Sequence, residues 1–545
     1  MFRFFARLWQ GETDGLTAAA FIVGTASLAS RLVGIFRDRM LASTFGAGNL
    51  LDSYYAAFRL PDTLYNLIIL GALSAGFIPV FSAWLETKSR EDAMHLAEQV
   101  LSVVGATMAV ACAFLFFFAP ILVPIIAPGF EGEKLQTTIA LTRIMVLSPL
   151  FLGMSAVMGG VLQSTRRFFA FAVAPVLYNL SIISGIYFLS PSIGIYGAAF
   201  GVVLGAFLHF IAQTSVAFRL GIRRLPRPSL SDPGVRKILR LMAPRALGLA
   251  ITQINLAVLL AIATTIETGA VAVLNLATNL QSFPVGIFGI SFAIAAFPEL
   301  ARSAGKGDME GYRQALGGAS RKIVFLILPT MALFILLRAQ IVRAILGQGL
   351  FDWNDTIRTA DMLGWFSLSL FAQALTPLFT RAFYAIQNVR TPIIIIAVAE
   401  VANIILALLL KGPFGVAGLA IAFSITAIAQ LLLLVFFLRK QQGALGRGEF
   451  ALSAYKTSIA TVALCVAAYP VRQAIGTIYS LRTFLQVILQ AGATTVMGGL
   501  VFILVAWLLR SRELFEFWDA IHRKLWRRVK LEEGVDQAGG LTGST

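Results

Sequence analysis

Arg31, Arg37, Arg39, Asp52 and Arg59 fall in or beside the first two long apolar stretches of the chain. A single such charge at the centre of a bilayer costs about 2.5–3.5 kcal/mol on insertion scales. A chain sustains that penalty where the charges line a wet cavity or face a partner. Several guanidinium groups in one cavity suit an anionic cargo. Each is a planar fork that meets phosphate oxygens in pairs and stays charged at neutral pH.

The spacing spreads these groups. At 100° per residue, Arg31 and Arg39 lie about 80° apart around a helix, and Arg31 and Arg37 about 120°. One helix therefore offers two or three basic groups over a broad polar face. The alternative for Arg37, Asp38 and Arg39 is that they mark the end of the span and snorkel to the interface. Pro61 removes a backbone donor beside Arg59 and should break or kink the second span. Asp52 reads in two ways, as a structural lock on a span 1 arginine or as a counter-ion released when an anion arrives.

These residues sit in a chain that is 58% hydrophobic and only 13% charged, against about 25% charged in a soluble protein. Its mean hydropathy is +0.81. The reading is an all-α polytopic membrane protein. Lys and Arg number 44 against 27 Asp and Glu, a net charge of +17, and the positive-inside rule accounts for that excess without nucleic acid. Cys112 and Cys465 lie in separate apolar runs, and the three histidines have no metal-ligand spacing. The sequence holds no P-loop, no GxSxG elbow and no HExxH, so NTP hydrolysis, serine catalysis and zinc hydrolysis have no support. No cofactor is expected.

With about 20 residues per crossing, the chain divides into about fourteen spans. They lie near 17–42, 51–83, 94–127, 136–163, 168–190, 194–219, 236–266, 269–302, 318–347, 357–386, 391–411, 414–438, 453–475 and 483–509. Loops after the even spans are basic, among them Arg166, Arg167, Arg223, Arg224 and Arg227. Loops after the odd spans are short and carry Glu131, Glu133, Glu267, Asp352 and Asp355, with Lys134 and Lys411 as isolated exceptions. Both termini are therefore expected in the cytoplasm. Residues 1–15 read as an interfacial helix, 16–220 as an N-lobe of spans 1–6, 221–440 as a linker and C-lobe of spans 7–12, 441–511 as an extra helix pair, and 512–545 as a basic amphipathic tail.

A self-comparison supports two lobes. An offset of 224 pairs Gln163 with Gln387, Arg166 with Arg390 and Asn179 with Asn403. An offset of 221 then pairs the Gly194–Gly197 turn with Gly415–Gly418, and Phe58–Pro61 loosely matches Ser282–Pro284. The unit of six helices is even, so both copies enter the membrane the same way and enclose a central cavity suited to alternating access. The second lobe is neutral where the first is charged. It offers Gln253 in span 7 and Asn275, Asn279 and Gln281 in span 8. Glu400 and Asn403 in span 11 could ligate a monovalent cation or take up a proton, or could form an interhelical hydrogen bond.

Five segments together, SRLVGIFRDRMLASTFGAG at 30–48, LDSYYAAFRLPDTL at 51–64, GALSAGFIPVF at 71–81, IAPGF at 126–130 and AFYAIQNVRTP at 382–392, resemble the MurJ (MviN) family of bacterial lipid II flippases. The resemblance implies fourteen helices in the fold of the multidrug/oligosaccharidyl-lipid/polysaccharide exporter superfamily, in the bacterial inner membrane. It implies a cargo of undecaprenyl-pyrophosphate-linked disaccharide pentapeptide. By that resemblance Arg31 and Arg37 match essential span 1 arginines, Asp52 the span 2 aspartate, and Arg59 the basic residue before Leu-Pro. The chain departs from the family in span 2, where a further arginine is replaced at Tyr65 or Asn66, and in span 8, where Asn279 and Ser282 replace an Arg and a Glu. The expectation is a transporter, not an enzyme, driven by membrane potential, a monovalent cation or product removal, and working beside cell-wall synthesis proteins. A flippase for another polyprenyl-linked glycan and a non-transporting cell-wall scaffold are the alternatives. A drug exporter would need acidic cavity residues.

Overall fold

The computed structural model describes residues 16–67, 76–222, 224–443, 447–478, 483–519 and 522. All regular structure among them is helical. The interfacial helix expected over 1–15, residues 71–75 of the GALSAGFIPVF segment and residues 523–545 of the tail lie outside the described residues.

The chain runs α1 (Leu16–Phe45), α2 (Asn49–Tyr65), α3 (Ile78–Thr87), α4 (Arg90–Ile126), α5 (Gly132–Met145), α6 (Ser148–Ser164), α7 (Phe168–Ser184) and α8 (Tyr196–Leu220). It continues with α9 (Pro233–Thr264), α10 (Ala270–Pro284), α11 (Ser291–Gly305), α12 (Met309–Leu336), α13 (Arg338–Leu346), α14 (Trp353–Ser367) and α15 (Leu370–Ala385). Last come α16 (Arg390–Phe414), α17 (Ala417–Gln442), α18 (Arg447–Ile478) and α19 (Phe484–Leu508). Ten described helices or nearly straight helical runs are long and apolar enough to cross a membrane, eleven when α14 and α15, bent by 47°, count as one. The other expected crossings, spans 1, 2 and 7, coincide with α1, the α2–α3 pair and α9. Those helices carry Arg31, Arg37, Arg39, Asp52, Arg59 and Gln253.

Side chains start the helices where chemistry predicts. Ser89 accepts from Asp92 N at 3.1 Å to open α4, and Asp232 accepts from Gly234 and Val235 before Pro233 sets the first turn of α9. A capping box of Thr483 and Gln486 opens α19. The prolines named from sequence disturb their helices. After Pro61 the backbone turns π-helical at residues 66–67, and after Pro284 it does so over Val285–Ile290.

The chain forms two compact units. The first comprises Met1–Thr278, Ile345–Met362 and Glu400–Phe423, and the second Asn279–Ala344, Leu363–Ala399 and Ser424–Thr545. In the first, Phe77 and Phe81 stack at 5.2 Å within a core that includes Met108, Met158 and Val161. In the second, Tyr312 is buried among Ile323, Leu378 and Leu434 and donates its hydroxyl to the Ala382 carbonyl at 2.9 Å. A further cluster packs Phe325 and Phe502 against Leu464 and Ala468.

The internal repeat is visible in the backbone. Gly194 and Gly415 both adopt left-handed conformations, with φ of 60° and 55°. The turn before α7 has its left-handed residue at Arg166 (φ 57°), and the turn before α16 has it at Gln387 (φ 59°). That turn follows the 221 offset. The 224 offset read from the glutamine and arginine pairs is therefore not the backbone register at this point. Spans 4 and 10 also share a break, at residues 146–147 and 368–369.

Candidate functional site

Helix α1 does not end at the arginine cluster; it runs on to Phe45, so Arg37, Asp38 and Arg39 lie inside it. Asp38 is buried, and Arg37 is half-buried. Arg37 donates to Asp38 Oδ1 from Nε at 3.0 Å and from Nη2 at 2.7 Å, and from Nη1 to Asn179 Oδ1 at 2.9 Å. Asn179 is held in turn by donating to Pro175 O at 3.0 Å and Ser30 Oγ at 3.4 Å. Arg31 is exposed and has no hydrogen bond or ion pair among the described residues. Arg39 turns another way and donates to Gln348 Oε1 at 3.1 and 2.8 Å.

Arg59 stands on α2 two residues before Pro61, through which the helix continues to Tyr65. Its Nη2 donates to Gln253 Oε1 at 2.6 Å and to Gln253 O at 3.2 Å, while Asp62 lies 3.9 Å from Nη1. The structure thus joins two residues singled out separately in the sequence, Arg59 and Gln253.

Asp52 is fully buried, and its partner is not a span 1 arginine. Lys134 donates to it at 2.7 Å, and so do the backbone amides of Gly269 at 2.7 Å and Ala272 at 2.8 Å. Those amides precede and open α10, where the first N–H groups of a helix have no partner within it. The carboxylate satisfies them and sits at the positive end of the helix dipole. Lys134, an exception in the charge pattern, is thereby explained. Lys411 donates to Thr265 Oγ1 at 3.2 Å.

Three further contacts tie the same end of the first unit. Leu350 N donates to Ser43 O at 2.8 Å, Ala47 N to Asp355 Oδ2 at 3.0 Å, and Arg358 pairs with Glu267 at 2.8 Å. Asn403 donates to Asn255 Oδ1 at 3.5 Å, and Asn255 to the Glu400 carbonyl at 2.9 Å. The Glu400 carboxylate makes no hydrogen bond among the described residues, and these contain no group of three His, Cys, Asp or Glu fit to hold a metal. Asn275 bonds back to its own helix at Val271 O, 2.8 Å.

Asn279 and Gln281 belong to the second unit. Gln281 is buried and accepts from Gln373, which also donates to Ser369; Ser369 meets Ser424, and Ser424 donates to Trp365 O. This polar chain spans the break between α14 and α15, where helix interruption frees backbone groups. Ser282, at a position where the family resemblance implied a charge, bonds to the Asn279 carbonyl at 2.8 Å.

Sequence reasoning did not assign Lys134, Asn179, Gln348 or Gln373 to the site. Asn179 had a usable signal. It is a lone amide in an apolar span, paired by the repeat with Asn403, and each reaches the first helix of its own lobe.

The family model described as "Lipid II flippase MurJ" matches residues 41–490. The chain belongs to the MurJ family. The "Probable lipid II flippase MurJ" of Rhizobium tropici is 31% identical over 412 residues, 73% of this chain and 76% of that protein. A solved structure described as "Lipid II flippase MurJ, inward closed conformation" matches 90% of this chain and 99% of its own at a TM-score of 0.74 and 23% identity. An inward-facing multidrug resistance MATE family transporter of the MOP superfamily matches 79% of this chain and 99% of its own, with a TM-score of 0.65 and 18% identity. The fold is that of the superfamily expected from the sequence, and the family is one of transporters, not catalysts.

Proposed function

We propose that this chain flips lipid II, the polyprenyl-pyrophosphate-linked peptidoglycan precursor, between the leaflets of a bacterial inner membrane by alternating access. Membership of the MurJ family over residues 41–490 carries the reading. The headgroup enters between an N-lobe (16–220) and a C-lobe (221–440) from the cytoplasmic side, while the polyprenyl tail stays in lipid. Arg31, Arg37 and Arg59 hold the pyrophosphate. Their donors support this role. Arg31 has no partner among the described residues. The hydrogen bonds of Arg37 to Asp38 and Asn179 occupy three of its five N–H groups. Arg59 leans mainly on a neutral glutamine.

Asn279 and Ser282 offer no charge, so the first-lobe arginines carry the anion. The contacts of Asp52, Arg39 and Asp355 close the far end of the pathway while the cytoplasmic side admits cargo. No NTP motif exists to drive reopening, so the energy comes from membrane potential, about 2.3 kcal/mol per charge per 100 mV, or from a monovalent cation at Glu400 and Asn403. Both termini face the cytoplasm, where cell-wall synthesis proteins supply the cargo.

The test is replacement of the endogenous flippase in a depleted bacterial host, scored by lipid II reaching the outer leaflet. Restoration by the wild type, and its loss in Arg31→Ala at equal expression, supports the reading. A well-expressed, membrane-inserted wild type that restores nothing, in a host shown to accept other members of the family, overturns it in favour of another polyprenyl-linked glycan or a scaffold.

A further inference from the structure

A cavity of about 340 Å³ opens beside Arg37 within the first unit, walled by α1, α2, α6 from its first residues Ser148 and Pro149, α7 and α8. We infer that it seats the pyranose ring attached directly to the pyrophosphate, so that phosphate and first sugar are read at adjacent points of one lobe. The inference rests on the cargo class proposed above and adds a second recognition element to it.

Size is the first argument. Small-molecule pockets run from about 300 to 1,000 Å³. This one is at the low end, room for one substituted ring and not for a disaccharide with its peptide. Chemistry is the second. Phe58, Tyr65 and Tyr178 supply aromatic rings, and Asp62, His209 and Arg37 supply polar groups. A pyranose has apolar C–H faces and a rim of hydroxyls, and that mixture matches rings alternating with hydrogen-bonding groups. A bare inorganic anion has no use for three rings. A polyprenyl tail has none for a carboxylate, an imidazole and a guanidinium.

The polar groups also have capacity to spare. The hydroxyls of Tyr65 and Tyr178 make no hydrogen bond among the described residues. His209 is engaged at Nδ1 by Ser155 Oγ, 2.7 Å away, which leaves Nε2 for a ligand in either tautomer. Asp62 lines the cavity, is bonded by Asn66 and sits 3.9 Å from Arg59, and a carboxylate has lone pairs enough to accept from a sugar hydroxyl as well. Connectivity is the third argument. In a glycosyl pyrophosphate the first ring is bonded to a phosphate oxygen, and Arg37 is both a wall of the cavity and a fork with unused donors.

Calorimetry on the purified full chain in nanodiscs tests this with two probes, N-acetylglucosamine 1-phosphate and inorganic phosphate. The wild type is expected to bind the sugar phosphate at least tenfold tighter. Tyr65→Leu and Tyr178→Leu should bring the ratio to within twofold and leave inorganic phosphate binding unchanged, whereas Arg37→Ala should weaken both. Asp62→Asn, which keeps side-chain volume, should cut the ratio threefold or more and guards against a leucine variant that fails to fold. Equal binding of both probes by the wild type overturns the inference, as does a ratio unchanged in the folded variants. Preference for the sugar phosphate in a chain that does not flip lipid II overturns the cargo identity alone. Flipping without that preference overturns the sugar seat alone.

Discussion

Asp52→Asn should release one end of the first unit. The carboxylate receives three donors within 2.8 Å, namely the Lys134 ammonium and two amides that no helical carbonyl can reach. An asparagine has one acceptor oxygen and one NH2 group. Whichever way it turns, a donor faces a donor, and Lys134 loses its counter-charge. Removing one partner of a buried ion pair costs about 3–5 kcal/mol. At about 1.4 kcal/mol per factor of ten, the local opening equilibrium rises roughly a hundred- to several-thousand-fold. Hydrogen–deuterium exchange of the Gly269 and Ala272 amides, read by mass spectrometry in nanodiscs, reports that opening. Acceleration below threefold would refute the assignment of Asp52 as the cap of α10. Lys134→Met should produce a comparable loss, since it leaves the carboxylate buried and unpaired. The double variant should lose at least about 2 kcal/mol less than the sum; additivity within about 0.5 kcal/mol would mean the pair is not coupled.

Arg143 donates to Phe116 O at 3.2 Å, the carbonyl that residue 120 would serve in an unbroken helix, were it not Pro120. Arg143→Met should therefore lower stability by about 1–3 kcal/mol, and adding Pro120→Ala, which restores an N–H, should recover most of it; no recovery in thermal unfolding refutes the carbonyl account. Gly129→Ala would drive a Cβ against the Thr264 carbonyl, where Gly129 N already bonds Thr264 Oγ1 at 3.2 Å, so a loss of about 1–3 kcal/mol is expected and unchanged melting would contradict the close approach. Outside the spans, burial pushes the Glu516 carboxyl up, but the hydrogen bond and charge of Lys322 and then Arg512 prevail and hold it below its ordinary value. Because that pKa is depressed in the folded chain, the contribution is complete above the ordinary carboxylate value of about 4.3 and disappears as pH falls through the lower one. Exchange protection over 511–519 should accordingly hold at neutral pH and fall in acid, and Glu516→Gln should abolish the step.

Charge made much of this molecule legible. An arginine in an apolar run carries a penalty of kilocalories, so its presence in a sequence is a signal in itself, and Arg31, Arg37 and Arg59 could be picked out without coordinates. Lys134 was visible for the same reason, as a cation on the wrong side of the charge pattern, but its partner is 82 residues away in sequence and nothing local names it. Neutral amides give no such signal. Gln348 looks like any polar residue of a turn, and Asn179 stood out only through its repeat mate Asn403; a neutral interhelical hydrogen bond is worth about 1 kcal/mol or less. The repeat was legible at Gly194 and Gly415, where only glycine takes the left-handed turn easily. It was misread by three residues at Arg166, where two non-glycine residues adopt that conformation and sequence identity pointed elsewhere. Pro61 and Pro284 announced breaks, but not that the chain would continue as π-helical turns.

The neutral amides have an electrostatic consequence. Asp52 is taken by Lys134, so it cancels none of the arginines. Arg59 rests chiefly on Gln253, and Arg37 divides its donors between Asp38 and Asn179. An amide oxygen orients a guanidinium without neutralising it, which leaves the field available to a pyrophosphate. Gln253→Glu isolates this point, because it keeps the shape and the 2.6 Å contact and changes only the charge. The variant should fold at least as stably as the wild type, since it converts a neutral contact into an ion pair. It should transport less. A unit charge pair near 4 Å at an effective dielectric of about 20 is worth about 4 kcal/mol, and a third of that is a tenfold effect. A tenfold or greater fall in outer-leaflet lipid II with no loss of thermal stability is the expected outcome. Undiminished transport by Gln253→Glu would show that the charge of Arg59 is not used on the cargo and would confine anion binding to Arg31 and Arg37.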